Sequence, residues 1–448
     1  MSNSRLIYVK KRSGVTVPFN QERITNAIYR AAVAVGGRDK IIAENLSNMV
    51  VEYLENNCRE ECAPHIEEIQ DAVEKILIEN RHAKVAKAFI LYREEKAKRR
   101  MADSKFAAIA SDNVPWQKIW YVLNWAVDHG LETIDKLNER IIKGEFSQIV
   151  HESETAYEND ILTAADNINE RADELKMVFV SGPSSSGKTT TTKKLEERLN
   201  AKGLKLVALN VDHYFYDLEM HPKDEFGDYD FETPQALDLE MINEHLVKLC
   251  KGEEVKIPFY DFKIGKRYLE HSSLKLAGNE ILLIDSLHGL YPQLSKDISS
   301  ENKFRVYIEP LLQMKGSDGK FIKWTDLRLI RRMLRDSVHR AYNPRQTLEH
   351  WHYVRSSEMR NIIPYQSSAD YIINSGMPYE IPLYKARIFN EFVNWEKEYK
   401  NNPLREDAYE RAYRVRNFLE SCEALKDDSA VPHNSVLREF IGGSSYKY

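Results

Sequence analysis

Residues 177–192, Met-Val-Phe-Val-Ser-Gly-Pro-Ser-Ser-Ser-Gly-Lys-Thr-Thr-Thr-Thr, decide how the rest of this chain is read. An apolar run, Met177 to Val180, leads into Gly182-x-x-x-x-Gly187-Lys188-Thr189, the spacing of a phosphate-binding loop. Glycines let the backbone curl until successive N–H groups point at one spot, and the following helix adds the positive end of its dipole. The pattern therefore assigns Gly182, Ser184, Ser185, Ser186, Gly187, Lys188, Thr189 and Thr190 to a nucleoside triphosphate, a plain Gly/Ser turn being the alternative. Lys188 reaches the outer phosphates, and the Thr189 hydroxyl ligates Mg²⁺. Leu195 and Leu199 mark the helix that must follow.

Outward from that loop, residues 177–448 alternate strand and helix signals. Strands are expected from Leu204 to Val211, Glu280 to Ile284, Phe304 to Ile308 and Tyr371 to Ile373. Leu239, Ile242, Leu246 and Leu249 mark an intervening helix. Such alternation implies an α/β fold, a parallel sheet with helices on both faces. Ligands of these sheets bind at the carboxyl ends of the strands. There the sequence places Asp212, suited to deprotonate a hydroxyl, and Asp285, suited to hold Mg²⁺; an Asp capping a turn is the plain alternative for both. A helix from Thr325 to about Ala341 lines up Arg328, Arg331, Arg332 and Arg335 on one face. Two readings stay open for it: a solvated basic face, or a lid whose arginines clamp phosphates.

The N-terminal hundred residues read differently. Two short strands (Leu6 to Val9, Val15 to Phe19) flank the basic turn Lys10-Lys11-Arg12-Ser13-Gly14, and Asn20 caps a helix with Ile24, Ile28 and Ala31 on one face. Three more helical patterns follow, the last running into the charged stretch 93–100. Cys58, Cys62 and His65 have spacing that zinc could use, but a fourth ligand is not evident, and a helix end with unpaired thiols is the simpler reading. Between the two regions, Trp116, Ile119, Trp120, Val122, Leu123 and Trp125 suggest a packed helix. A second follows around Ile134, Leu137 and Ile141, then a polar helix from Thr155 to Leu175. The expected domains are thus 1–100, a helical connector 101–176, and 177–448, ending in a helical C-terminal extension.

Composition bounds the function. The chain has 448 residues, 42% hydrophobic and 30% charged, as an ordinary globular protein does. A net charge of −5 argues against a general nucleic-acid binder. No secretory signal and no membrane span are read from it. Four cysteines in so long a chain suggest reduced thiols and a cytoplasmic setting.

Residues 5–96 resemble the ATP-cone, a nucleotide-sensing domain found at the N-terminus of many ribonucleotide reductases. The resemblance rests on Val9-Lys10-Lys11-Arg12-Ser13-Gly14, Val17-Pro18-Phe19-Asn20, Glu68-Ile69-Gln70 and Val85-Ala86-Lys87-Ala88-Phe89. It implies that Lys11, Arg12 and Arg23 contact the phosphates of a regulatory adenine nucleotide, although Ser13 stands where the family usually has Asp. Residues 178–375 resemble the uridine kinase and phosphoribulokinase group of P-loop kinases. The matching pieces are the loop itself, Asp212-His213-Tyr214-Phe215, Phe231-Glu232-Thr233-Pro234-Gln235-Ala236-Leu237-Asp238, Pro258-Phe259-Tyr260-Asp261-Phe262, Asp285-Ser286-Leu287-His288-Gly289 and the arginine helix. That resemblance implies Asp212 as catalytic base, Glu232 on ribose hydroxyls, and Tyr214, Tyr260 and Phe262 on the acceptor. It places Arg331, Arg335 and Arg340 in an arginine-rich lid.

Two departures separate this chain from a uridine kinase. Lys263-Ile264-Gly265-Lys266 stands where those enzymes carry a pyrimidine-contacting His, and the metal-side acid is Asp285 rather than Glu. The resulting expectation is ATP- and Mg²⁺-dependent phosphorylation of a small-molecule acceptor, a nucleoside or polyol. Adenine nucleotide acts as effector on an expected homo-oligomer, with no nucleic acid and no membrane involved. The alternative is an ATP-binding regulator that phosphorylates no small molecule.

Overall fold

The computed structural model describes all residues except 1–5, 11–15, 36–38, 58–62, 92, 94–113, 223–228, 230, 340–342, 401, 403–404 and 448. The chain divides into two compact units, residues 1–111 with 401–406, and residues 112–400 with 407–448.

In the first unit, β1 (Tyr8–Lys10) pairs antiparallel with β2 (Thr16–Pro18). Helices α1 (Gln21–Ala34), α2 (Lys40–Asn57), α3 (Ile66–Glu79) and α4 (residues 83–91) follow. Ile24, Ile28, Val50, Leu54, Val73 and Leu77 share one buried core, as the apolar spacing of these helices requires. Asn20 caps α1, its Oδ1 accepting the Glu22 N–H at 2.9 Å. His65 caps α3 in a reciprocal box with Glu68. Its Nδ1 accepts the Glu67 N–H at 3.3 Å; the thiols of the spacing zinc could use, Cys58 and Cys62, lie outside the described residues. At the start of the charged run, Arg93 is held by Glu67, Asp71 and Glu74 at 2.6–2.7 Å.

The second unit is built on five parallel strands in the order β4 (Lys205–Asn210), β7 (Glu280–Asp285), β3 (Met177–Ser181), β8 (Lys303–Glu309), β9 (Tyr371–Asn374). The period-two alternation of β3 sorts two cores. Val178 and Val180 face one, with α8 (Lys188–Ala201), while Met177 and Phe179 face the other, with α9 (Leu239–Cys250). A two-stranded antiparallel ribbon, β5 (Val255–Asp261) with β6 (Lys266–Leu274), lies outside the parallel sheet.

The region expected to be a connector belongs to this core. Helix α5 (Trp116–Asp128) buries Val122 and Ala126 and packs half-buried Trp125 on the core, whereas Trp116 and Trp120 are exposed, so only one of the three tryptophans joins the packing. Helix α6 (Ile134–Ile142) follows. The next helix, α7 (Phe146–Glu170), begins well before the expected Thr155, because Ile149 and Val150 extend its apolar face toward the N-terminus. Asp160 on α7 pins the sheet edge, accepting the Asn374 N–H at 2.9 Å and pairing with Lys118. The remaining helices are α10 (Trp324–His339), α11 (Pro344–Asn361), α12 (Glu380–Tyr399), α13 (Glu406–Glu420) and the short α14 (Arg438–Ile441). Among the described residues, no helix is long and apolar enough to cross a membrane.

Candidate functional site

The loop between β3 and α8 has the geometry its sequence demands. Gly187 has φ +91° and Ser185 φ +59°, left-handed values that curl the chain. Gly182 runs so close to β8 that a Cβ there would fall 2.3 Å from the Ile308 carbonyl oxygen. The Ser185 and Ser186 hydroxyls are buried with no hydrogen-bond partner among the described residues. Buried hydroxyls without partners in a curled loop at a helix N-terminus suit an anion.

Arginines of α10 brace this loop from behind. Arg328 donates to the Ser184 carbonyl at 3.0 Å and Arg331 to the Ser186 carbonyl at 3.4 Å. Arg328 also pairs with Glu309 at 2.9 Å and Glu358 at 2.6 Å, and Arg331 with Glu380 at 2.5 Å, all nearly solvent-free. The Arg331 guanidinium is engaged by Glu380, by Ser375 and by the Ser186 carbonyl of the loop, so its described contacts brace the loop. Arg332 and Arg335 are the outward pair. Arg332 donates to the Ser184 hydroxyl at 3.1 Å and to Glu232 at 3.0 Å, while Arg335 lies 3.8 Å from Glu439. Arg340 lies outside the described residues.

Lys188 opens α8, and its ammonium donates to the Pro183 carbonyl at 3.3 Å. Burial lowers its pKa, against the pull of Asp285, Glu439 and Glu232. Asp285 ends β7 level with Val180 of β3. Burial pushes its carboxyl up to about 6, Lys188 opposes, and Asp212 adds to the rise. Asp212 sits in a 3₁₀ turn, Val211–Tyr214, whose start is fixed by Asn210 accepting the Asp212 N–H at 2.9 Å. Its carboxylate is crowded by protein, which raises its pKa despite Lys188 and His213, yet it remains open to solvent. Lys188, Asp212 and Asp285, from three strand ends, thus feel one another's charge.

For a metal, the donor set fits magnesium. Thr189 in the first turn of α8 and Asp285 are hard oxygen donors, and Mg²⁺ is usually held by one or two carboxylates plus substrate phosphates. Among the described residues, no cluster of three His, Cys, Asp or Glu side chains could cage a metal by itself.

On the acceptor side, Tyr260 and Phe262 meet edge to face at 4.8 Å, with Phe215 and His221 around Tyr260. Tyr260 is buried with its hydroxyl unpartnered among the described residues, and Phe262 is exposed. Tyr214 is fully buried in the second core, its hydroxyl 2.9 Å from His245. Lys263 to Lys266 form the ribbon's tight turn; Gly265 has φ +66°, and Lys266 is engaged by Asp217 and Glu219. In the first unit Arg23 is exposed on α1, whereas Lys11 and Arg12 lie outside the described residues.

Two residues escaped the sequence reading. His288, to which its motif assigned no role, is buried, and burial and Lys188 press its pKa down to about 3 against a backbone hydrogen bond at Glu232; its place three residues after Asp285 was the available signal. Glu439 carried none, since nothing local distinguishes it from any C-terminal glutamate.

Residues 7–98 match the model of the ATP cone domain, and residues 177–381 that of the phosphoribulokinase / uridine kinase family. A uridine kinase of Chloroflexus aurantiacus is 27% identical over 216 residues, covering 47% of this chain and 93% of that protein. Uridine kinase-like protein 5 of Arabidopsis thaliana is 27% identical over 201 residues, covering 45% and 39%. Among solved structures, the D-glycerate 3-kinase of Cryptococcus neoformans is 12% identical, covers 58% of this chain and 87% of its own, and superposes with a TM-score of 0.26, too partial a likeness to carry an argument.

Proposed function

We propose that this chain, an ATP-cone domain joined to a P-loop kinase domain of the phosphoribulokinase / uridine kinase family, phosphorylates a hydroxyl of a nucleoside or similar small polyol. The observation that carries this reading is the placement of Lys188, Asp285 and solvent-open Asp212 at the carboxyl ends of three adjacent strands, with the Asp212 turn joined through Phe215 to the aromatic cluster of Tyr260 and Phe262.

Loop amides and Lys188 hold the triphosphate of ATP, with Thr189 and Asp285 placed to hold its Mg²⁺. When bound, the metal neutralises charge on the phosphates. Asp212 orients the acceptor hydroxyl and takes its proton; a carboxylate with a raised pKa is a better base than an ordinary one. Glu232, already held by Arg332, accepts from neighbouring acceptor hydroxyls, and the Tyr260 and Phe262 rings cover an apolar face. Arg332 and Arg335 stand nearest the developing charge.

Uridine itself is not favoured, because the ribbon turn 263–266 offers no imidazole to a pyrimidine. The ATP-cone supplies a second adenine-nucleotide site that tunes this activity. The test is ATP-dependent phosphorylation of nucleosides, sugars and other polyols by the purified chain. A phosphorylated product supports the kinase reading. Intact ATP binding with no product from any acceptor favours a nucleotide-sensing regulator.

A further inference from the structure

Glu439 is an acid in an unexpected place. Its Oε2 accepts the Thr190 hydroxyl at 2.7 Å and the Thr190 backbone N–H at 3.3 Å, at the N-terminus of α8. The side chain is 5% exposed, and its other oxygen faces Arg335 at 3.8 Å. Lys188 and Asp285 both feel its charge. A helix N-terminus that follows a phosphate-binding loop would present these donors to an anion, and here the chain supplies one of its own.

The segment carrying Glu439 is built to stay. Val436 packs on the loop so closely that a Cβ on Gly187 would fall 2.4 Å from its methyl group. Phe440 lies under the Arg331 guanidinium, 4.9 Å from ring centre to charge. Arg438 ties the turn back, donating to the carbonyls of Asp428 and Val431 at 2.8 Å and to the Asp428 carboxylate at 3.1 Å. Tyr446 reaches Glu197 on α8 at 3.1 Å.

We propose that α14 is an internal latch in which Glu439 occupies a phosphate position of the nucleotide site, so that nucleotide binding displaces its carboxylate from Thr190. This rests on the nucleotide-binding reading of the loop. Two anions cannot share the same two donors, and in a crowded pocket of low effective dielectric their repulsion is large. In the displaced state Arg335 gives up Glu439 while Asp336 stays 3.8 Å away, so the same arginine faces the closed latch and the bound nucleotide.

A plain structural role for Glu439 as a cap of α8 makes a different prediction. Glu439→Gln keeps the accepting oxygen and the shape while removing the charge. Calorimetric titration of the full chain with MgATP distinguishes the two, using wild type, Glu439→Gln and Lys188→Ala. The latch predicts MgATP binding to Glu439→Gln that is roughly tenfold or more tighter than to wild type. Affinity that is equal or weaker, with Lys188→Ala still losing binding, overturns the latch and leaves the nucleotide reading standing. No binding to wild type or Glu439→Gln overturns both. Hydrogen exchange on unmodified wild type tests the same point should the variant misfold. Amides 436–442 should exchange faster once MgATP is bound, and unchanged or slower exchange contradicts the latch.

Discussion

Asp212 is crowded yet open to solvent, and it lies outside the loop that holds phosphate. Asp212→Asn should therefore lower turnover by about 10²–10⁴-fold while leaving ATP affinity nearly unchanged; unchanged turnover removes it from the mechanism. Arg331 behaves oppositely. Truncating it strands Glu380 uncompensated in the core, so Arg331→Ala should cost about 3–5 kcal/mol in chemical denaturation. A variant of full stability with lost turnover would favour its clamp role. The strand-end position of Asp212 was legible because the apolar run before it stops there. The full burial of Arg331 and Tyr214 was not, because side-chain type and spacing place a residue on a face but do not say whether that face meets solvent or core. Glu439 acts across 249 residues of sequence, a separation that no local pattern encodes.

At the scale of elements, α10 and α11 are joined by Arg328 and Glu358. Burial pushes the Glu358 carboxyl up, but Arg328 and Arg355 outweigh it and hold the pKa below the ordinary glutamate value of 4.5. A depressed folded-state pKa contributes stability that is present above that ordinary value and lost as pH falls through the folded one. The denaturation midpoint gap between wild type and Glu358→Gln should thus be widest near neutrality and shrink below about pH 4.5. A gap independent of pH would assign the effect to packing. The sheet strands were readable because runs such as 281–284 are apolar without a break, as strands covered on both faces must be. The ribbon β5–β6 was not: its second strand is almost wholly exposed and carries no alternation to read. Helix α7 was placed too late because its first apolar residues, Ile149 and Val150, precede a polar stretch that dominates the pattern.

For the whole molecule, the chain divides into a small helical unit and a larger unit built on the parallel sheet, matched respectively by the ATP cone model and by the phosphoribulokinase / uridine kinase model. If the ATP-cone senses adenine nucleotide, titrating ATP or dATP should change the kinase rate or the solution mass; no response in either, with the domain folded, makes it a structural appendage. The acceptor is the part least legible in sequence, since the proposed acceptor region, Tyr260, Phe262 and the ribbon turn, is where this chain leaves the uridine kinase pattern. The most direct measurement follows from that. Wild type and Asp212→Asn are each incubated with MgATP and a panel of nucleosides, sugars and other small polyols, and products are read by mass. The account predicts one acceptor class gaining a phosphoryl group with wild type and not with Asp212→Asn. Bound ATP with no phosphorylated acceptor anywhere in the panel, or equal product from both proteins, would contradict it.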